Sequence, residues 1–276
     1  MQAVRNYFVL PLVCISLISL GAYAHRRNFA ATLQQDPQTS AAALIKAARD
    51  GNLDAVKSFM NSGADANTRD QRDIEKSTVL MVAAFAGRTN VVQFLIERGA
   101  DVNARTAHGK TALMWAALEG NDDVLKILLE KKADLEAIDD SKASALFFGI
   151  QGNHPSIVKT LVSSGARLDH IPDRVGSIWR FVLHSKCNSC FQAFLDGGAD
   201  VNSRDRSRQT PLMLAVDAGR ADAVQALLAK GADIHARDAE YHTALTRAQK
   251  NGNAAIIEML RARGAESPGT GKRSWP

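Results

Sequence analysis

The sequence predicts an all-α protein, a solenoid of about seven 33-residue helix-turn-helix repeats with β-turn connections. Three observations lead there. Gly-Ala-Asp recurs at Gly63-Ala64-Asp65, Gly99-Ala100-Asp101, Gly198-Ala199-Asp200 and Gly231-Ala232-Asp233, with degenerate copies at Lys132-Ala133-Asp134, Gly165-Ala166-Arg167 and Gly264-Ala265-Glu266. The central alanines stand 36 residues apart once and 33 apart five times. A second marker, Thr78, Thr111, Ser144, Ser177, Thr210 and Thr243, keeps the same 33-residue step. Two markers in phase over so long a stretch are the signature of a stacked-repeat architecture. Composition agrees: 46% hydrophobic and 23% charged residues exclude a disordered or collagen-like chain. Three cysteines exclude a disulfide-dense scaffold. The net charge of +5 is too mild to mark a nucleic-acid binder.

Taken in order, residues 1–24 read as a signal peptide. Arg5 precedes the apolar run Phe8 to Leu20, and Ala22-Tyr23-Ala24 supplies the small-x-small cleavage pattern. The alternative is a retained N-terminal anchor, because Tyr7 to Ala24 reaches the lower limit of a membrane span and Arg26-Arg27 follow directly. Residues 25–38 form a linker and 39–266 the repeat domain, with repeats at about 42–76, 77–109, 110–142, 143–175, 176–208, 209–241 and 242–266. Residues 267–276 are a flexible tail. The single long interval places a three-residue insertion between Thr68 and Ser77.

The third repeat shows how each is built. Thr111 is a helix N-cap type, Ala112 to Glu119 a first helix, and Gly120 the left-handed residue that ends it. Val124, Leu125, Ile127, Leu128 and Leu129 are the apolar stripe of a second helix. Neither helix can bury its stripe alone, so each repeat must cover the next.

The segments TVLMVAAFAG, TALMWAALEG and TPLMLAVDAG, followed by GADVN or GADIH, resemble the ankyrin repeat over roughly residues 39–266. The resemblance implies a curved array with no catalytic function and no cofactor, whose turns and first helices bind a partner protein on a concave side. It points to partner-binding residues at Phe85, His108, Lys110, Leu118, Glu119, Gln151, Arg174, His184, Arg206 and Asp217, with Ile74 and Glu75 in the same register. The family often has His three places after the Thr. Here Met81, Met114, Phe147, Arg180, Met213 and Thr246 stand there, which implies apolar packing between turns.

The fifth repeat departs most. Val182-Leu183 replace the small pairs Ala83-Ala84 and Ala116-Ala117 and should push neighbouring first helices apart. Arg167 to Cys190 is therefore a second candidate surface. Cys187 and Cys190, in a C-x-x-C spacing, read as a disulfide or an inert core pair, with thiol chemistry as a lesser alternative. A metal site there would need two more ligands, and His184 is the one nearby candidate. No catalytic, metal or cofactor motif is expected.

The reading is a non-catalytic protein-protein interaction module with a protein partner and no nucleic acid. Its signal segment, and turns such as TALMWAA that look like those of bacterial members, place it as an exported protein of the bacterial periplasm or envelope, serving as an immunity or protective protein. A single-pass inner-membrane anchor is the alternative location, with membrane contact only if residues 1–24 are retained. The alternative functions are a thiol-disulfide active protein using Cys187/Cys190 and a membrane-anchored scaffold.

Overall fold

The structure is a computed structural model that describes residues 37–168, 177–185 and 187–266. The chain divides into two compact parts, Met1–Ser40 and Ala41–Pro276. Of the first, only Pro37–Ser40, the opening of the first helix, is described. The expected signal peptide, most of the linker and the tail lie outside the described residues.

Helices run in pairs: α1 (Pro37–Asp50) with α2 (Leu53–Asn61), α3 (Val79–Phe85) with α4 (Thr89–Glu97), α5 (Ala112–Glu119) with α6 (Asp122–Glu130), α7 (Ala145–Gln151) with α8 (Pro155–Ser163), α9 (Ile178–His184) with α10 (Asn188–Asp196), α11 (Pro211–Asp217) with α12 (Ala221–Ala229), and α13 (Ala244–Asn251) with α14 (Ala254–Ala262). First helices α3, α5, α7, α11 and α13 start on a buried capping hydroxyl. Thr78, Thr111, Ser144, Thr210 and Thr243 each accept a hydrogen bond from the backbone N–H three residues on. That satisfies a donor the helix cannot satisfy itself. Met81, Met114, Phe147 and Met213 are buried beneath these caps. Alanines 83, 84, 116 and 117 are fully buried where α3 and α5 meet. In the second helices, Val124, Leu125 and Leu128 are buried while Ile127 and Leu129 only flank the core, so the stripe is narrower than the sequence suggests.

The β-turn connections need correction. Among the described residues there is no β-strand, and the only β-type pairings are isolated bridges between Arg69 and Thr78 and between Ile138 and Ser144. Three of the links are folded instead around one aspartate each, and the link before α5 around the Thr106 hydroxyl. Asp139 Oδ1 accepts from the N–H groups of Ser141 and Ala143, Asp205 Oδ1 from Ser207 and Gln209, and Asp238 Oδ1 from Glu240 and His242. A side chain that captures these donors leaves them unavailable to an extended ladder.

Two recurring sets of hydrogen bonds order the array, the first of them between neighbouring repeats. Asn67, Asn103 and Asn202 each accept from the N–H of the next repeat's aspartate (Asp101, Asp134 and Asp233) and donate to a carbonyl two residues before it. At the N-caps of the second helices, the N–H groups of Asn52, Arg88, Asn121, His154, Arg220 and Asn253 each donate to the carbonyl five residues back. Four of these side chains also reach the preceding repeat: Arg88 to Arg49 O, Asn121 to Ala84 O and Phe85 O, His154 to Leu118 O, and Arg220 to Leu183 O.

Packing changes at the fifth repeat. First helices approach closely along α3, α5 and α7 and again along α9, α11 and α13, but α7 and α9 make no comparable approach. The stacked rings of Phe147 and Phe181, 4.6 Å apart, lie between them. Second helices α8 and α10 come together instead, more closely than any other neighbouring pair of second helices. Gly197 marks the contact: a Cβ there would lie 2.7 Å from Val162 Cβ, too near for any side chain.

Candidate protein-binding surface

Phe85 closes α3 and keeps 44% of its surface exposed, although its neighbours Ala83 and Ala84 are buried. Its ring meets Trp115 of α5 edge-on, with centroids 5.5 Å apart and planes at 82°, an arrangement that aromatic quadrupoles favour. Lys110 Nζ lies 4.7 Å from the Trp115 ring centroid and donates to Glu75 Oε1 at 2.8 Å. His108 Nδ1 is 3.2 Å from Glu75 Oε2. Burial works against ionisation of Glu75, but hydrogen bonds from Lys110, Thr106 and His108 outweigh it and hold its carboxyl below the usual range.

The lengthened link Thr68 to Ser77 sets this group in place. Asp73 accepts from the N–H groups of Glu75 and Ser77 and from the Ser77 hydroxyl, while the Glu75 carbonyl accepts from Ala107 N–H of the next link. Ile74, between these anchored residues, is 84% exposed. Two adjacent repeats thus present exposed apolar side chains beside a paired set of charges.

Of the residues singled out in the sequence, Phe85, His108 and Lys110 come together here. Leu118 is half-buried against the core, and its carbonyl accepts from His154 Nε2 at 3.0 Å. Glu119, Gln151 and His184 are exposed at the ends of successive first helices. Asp217 ends α11 in an ion pair with Arg247, which also pairs with Asp238. Arg206 is exposed on its link. Arg174 lies outside the described residues. Trp115 went unnoticed in the sequence, although its register shows a pattern: Trp115, Phe148 and Phe181 place an aromatic at the same point of three successive first helices.

Cys187, the N-cap of α10, is joined to Cys190 in a disulfide with Cα atoms 5.2 Å apart. The two residues are 1% and 0% exposed. Among the described residues no group of three or more His, Cys, Asp or Glu could hold a metal ion.

The family model "Ankyrin repeats (3 copies)" matches residues 1–106, 44–139, 106–171 and 180–268. The chain belongs to the ankyrin-repeat family. Its fold is similar to the crystal structure of the ankyrin repeat domain of Bcl-3, a member of the IkappaB protein family, with a TM-score of 0.68 and 27% identity over 79% of this chain and 97% of that one. Curated relatives are similar over shorter stretches. Ankyrin repeat domain-containing protein 29 of Homo sapiens is 47% identical over 58 residues, 21% of this chain and 18% of its own length. Serine/threonine-protein kinase 12 of Arabidopsis thaliana is 39% identical over 68 residues, 25% and 14%. The mitochondrial disaggregase of Bos taurus is 41% identical over 69 residues, 25% and 10%. The chain therefore spans well under a fifth of the length of most of these relatives. The ankyrin-repeat array is a non-catalytic protein-interaction scaffold.

The relatives also correct the expected location. They come from a plant and from mammals, and one is mitochondrial by name, so neither a bacterial periplasmic protein nor an inner-membrane anchor is supported. Among the described residues no helix is long and apolar enough to cross a membrane. The segment TALMWAA is the N-cap and first turns of α5, with Ala112, Leu113, Met114, Ala116 and Ala117 buried, so its pattern is that of repeat packing.

Proposed function

We propose that this ankyrin-repeat chain binds a partner protein on the surface centred on Phe85, with Trp115, Lys110, His108 and Glu75 around it and Ile74 at its edge. The observation that supports this most is Phe85 itself, an aromatic ring held partly exposed against a second aromatic. An apolar anchor surrounded by already paired charges fits the energetic centre and rim of protein interfaces. The hydrogen bonds that fix the Glu75 link also reduce the ordering cost of binding. Leu118, Glu119, Gln151, Arg174, His184, Arg206 and Asp217 extend the contact along the later repeats. An immunity or protective role depends on an envelope location and goes with it.

A photo-crosslinking residue placed at Phe85 or, separately, at Glu130 on α6 tests the site. The expected result is one stoichiometric adduct from position 85 and none from position 130. Phe85→Asp, with an unchanged melting temperature, should weaken capture about tenfold or more. Equal labelling from both positions, or full capture by a folded Phe85→Asp chain, would overturn the assignment.

A further inference from the structure

We infer that the fifth repeat, beside its boundary with the fourth, forms a redox-gated seam in which the Cys187–Cys190 disulfide closes the start of α10, where the other second helices use a main-chain hydrogen bond. At six other second-helix N-caps the backbone N–H donates to the carbonyl five residues back. At Cys187 it donates to Ser185 Oγ instead, and Val182 O accepts from that hydroxyl. Four of those N-cap side chains reach the preceding repeat, whereas the Cys187 sulfur is bonded to Cys190 within its own repeat.

Three further features coincide at this seam. Ser177 makes no side-chain cap to α9, unlike its counterparts. Helices α9 and α10 pack on each other less closely than the helix pairs on either side. The contact across the boundary has moved from the first helices to α8 and α10. The start of α10 therefore rests on the disulfide and the Ser185 hydroxyl in place of the usual main-chain bond. A reduced cysteine would not replace it, since a thiol is a weak donor on a short side chain.

The gating reaction is thiol-disulfide exchange with a dithiol. One thiolate of the dithiol attacks a sulfur of the pair, the Cys187–Cys190 bond breaks, and a mixed disulfide forms. The second thiolate of the dithiol then closes its own disulfide and expels the remaining cysteine. Two electrons and two protons pass from the dithiol to Cys187 and Cys190. Both sulfurs are buried, so the step proceeds through opening of α9 and α10, and reduction then keeps that region loose.

Hydrogen exchange of the full chain, untreated and treated with dithiothreitol, tests the seam, beside a Cys187→Ser/Cys190→Ser variant. Alkylation in denaturant first reads the pair, which should be blocked before reduction and labelled after it. Reduction should speed exchange over residues 178–196 about tenfold or more and leave α3 to α6 unchanged. The double variant should match the reduced protein and ignore dithiothreitol. If that variant does not fold, the reduced wild-type chain alone decides. Labelling of Cys187 or Cys190 without reductant, unchanged exchange over 178–196, or equal acceleration along the whole array would each overturn the inference.

Discussion

Glu75 sits between Lys110 and His108 on a link that carries three extra residues, and its ionisation couples the binding surface to pH. Its carboxyl is held below the ordinary glutamate value of 4.5. The folded state therefore binds the proton less readily than the unfolded chain, and the stability this contributes is complete above the ordinary value. It is lost as pH falls through the lower, folded value. Glu75→Gln should cost about 1 kcal/mol at neutral pH, and the gap to wild type should close in acid. Denaturant unfolding at pH 7 and pH 3 measures both; a gap that persists at pH 3 would show that the charge is not responsible. Phe85 was legible by counting seven places from Thr78, because the repeat fixes where each side chain emerges. Glu75 could be placed in the same way, but its pairing with the next repeat could not, since that depends on how the insertion folds.

Helix starts show how far a repeated letter can be trusted. Thr111 and Ser177 occupy the same place in the 33-residue step, yet only Thr111 caps its helix. Thr111→Ala should cost about 1 kcal/mol and Ser177→Ala a few tenths at most, read from chemical denaturation of the two variants. Equal losses would mean that the difference between the caps has no energetic weight. The helix pairs themselves were readable from sequence, because capping hydroxyls and left-handed glycines punctuate them. The connections were misjudged for a local reason: Asp139, Asp205 and Asp238 collect the backbone donors of their own links. The altered start of α10 was hidden too, since the spacing of Cys187 and Cys190 says nothing about which carbonyl a main-chain N–H will find.

Across the array, stability is a sum of repeat terms and nearest-neighbour terms, and the asparagine bonds belong to the second kind. Asn103→Leu removes the ties to Lys132 O and Asp134 N. It should cost about 1–2 kcal/mol and broaden the urea transition, because the repeats on either side are less firmly coupled. A loss with an unchanged slope would place the effect within one repeat. Location was the least legible property: an apolar leader-like stretch suggested export, and relatives from plants and mammals do not support the bacterial envelope. The asparagine joint has a different bearing on descent. It grips one backbone N–H and one backbone carbonyl, and every repeat offers both whatever its exposed side chains. A duplicated or exchanged repeat therefore arrives with a ready-made fastening, and the outer residues can diversify toward new partners without the joint being reinvented.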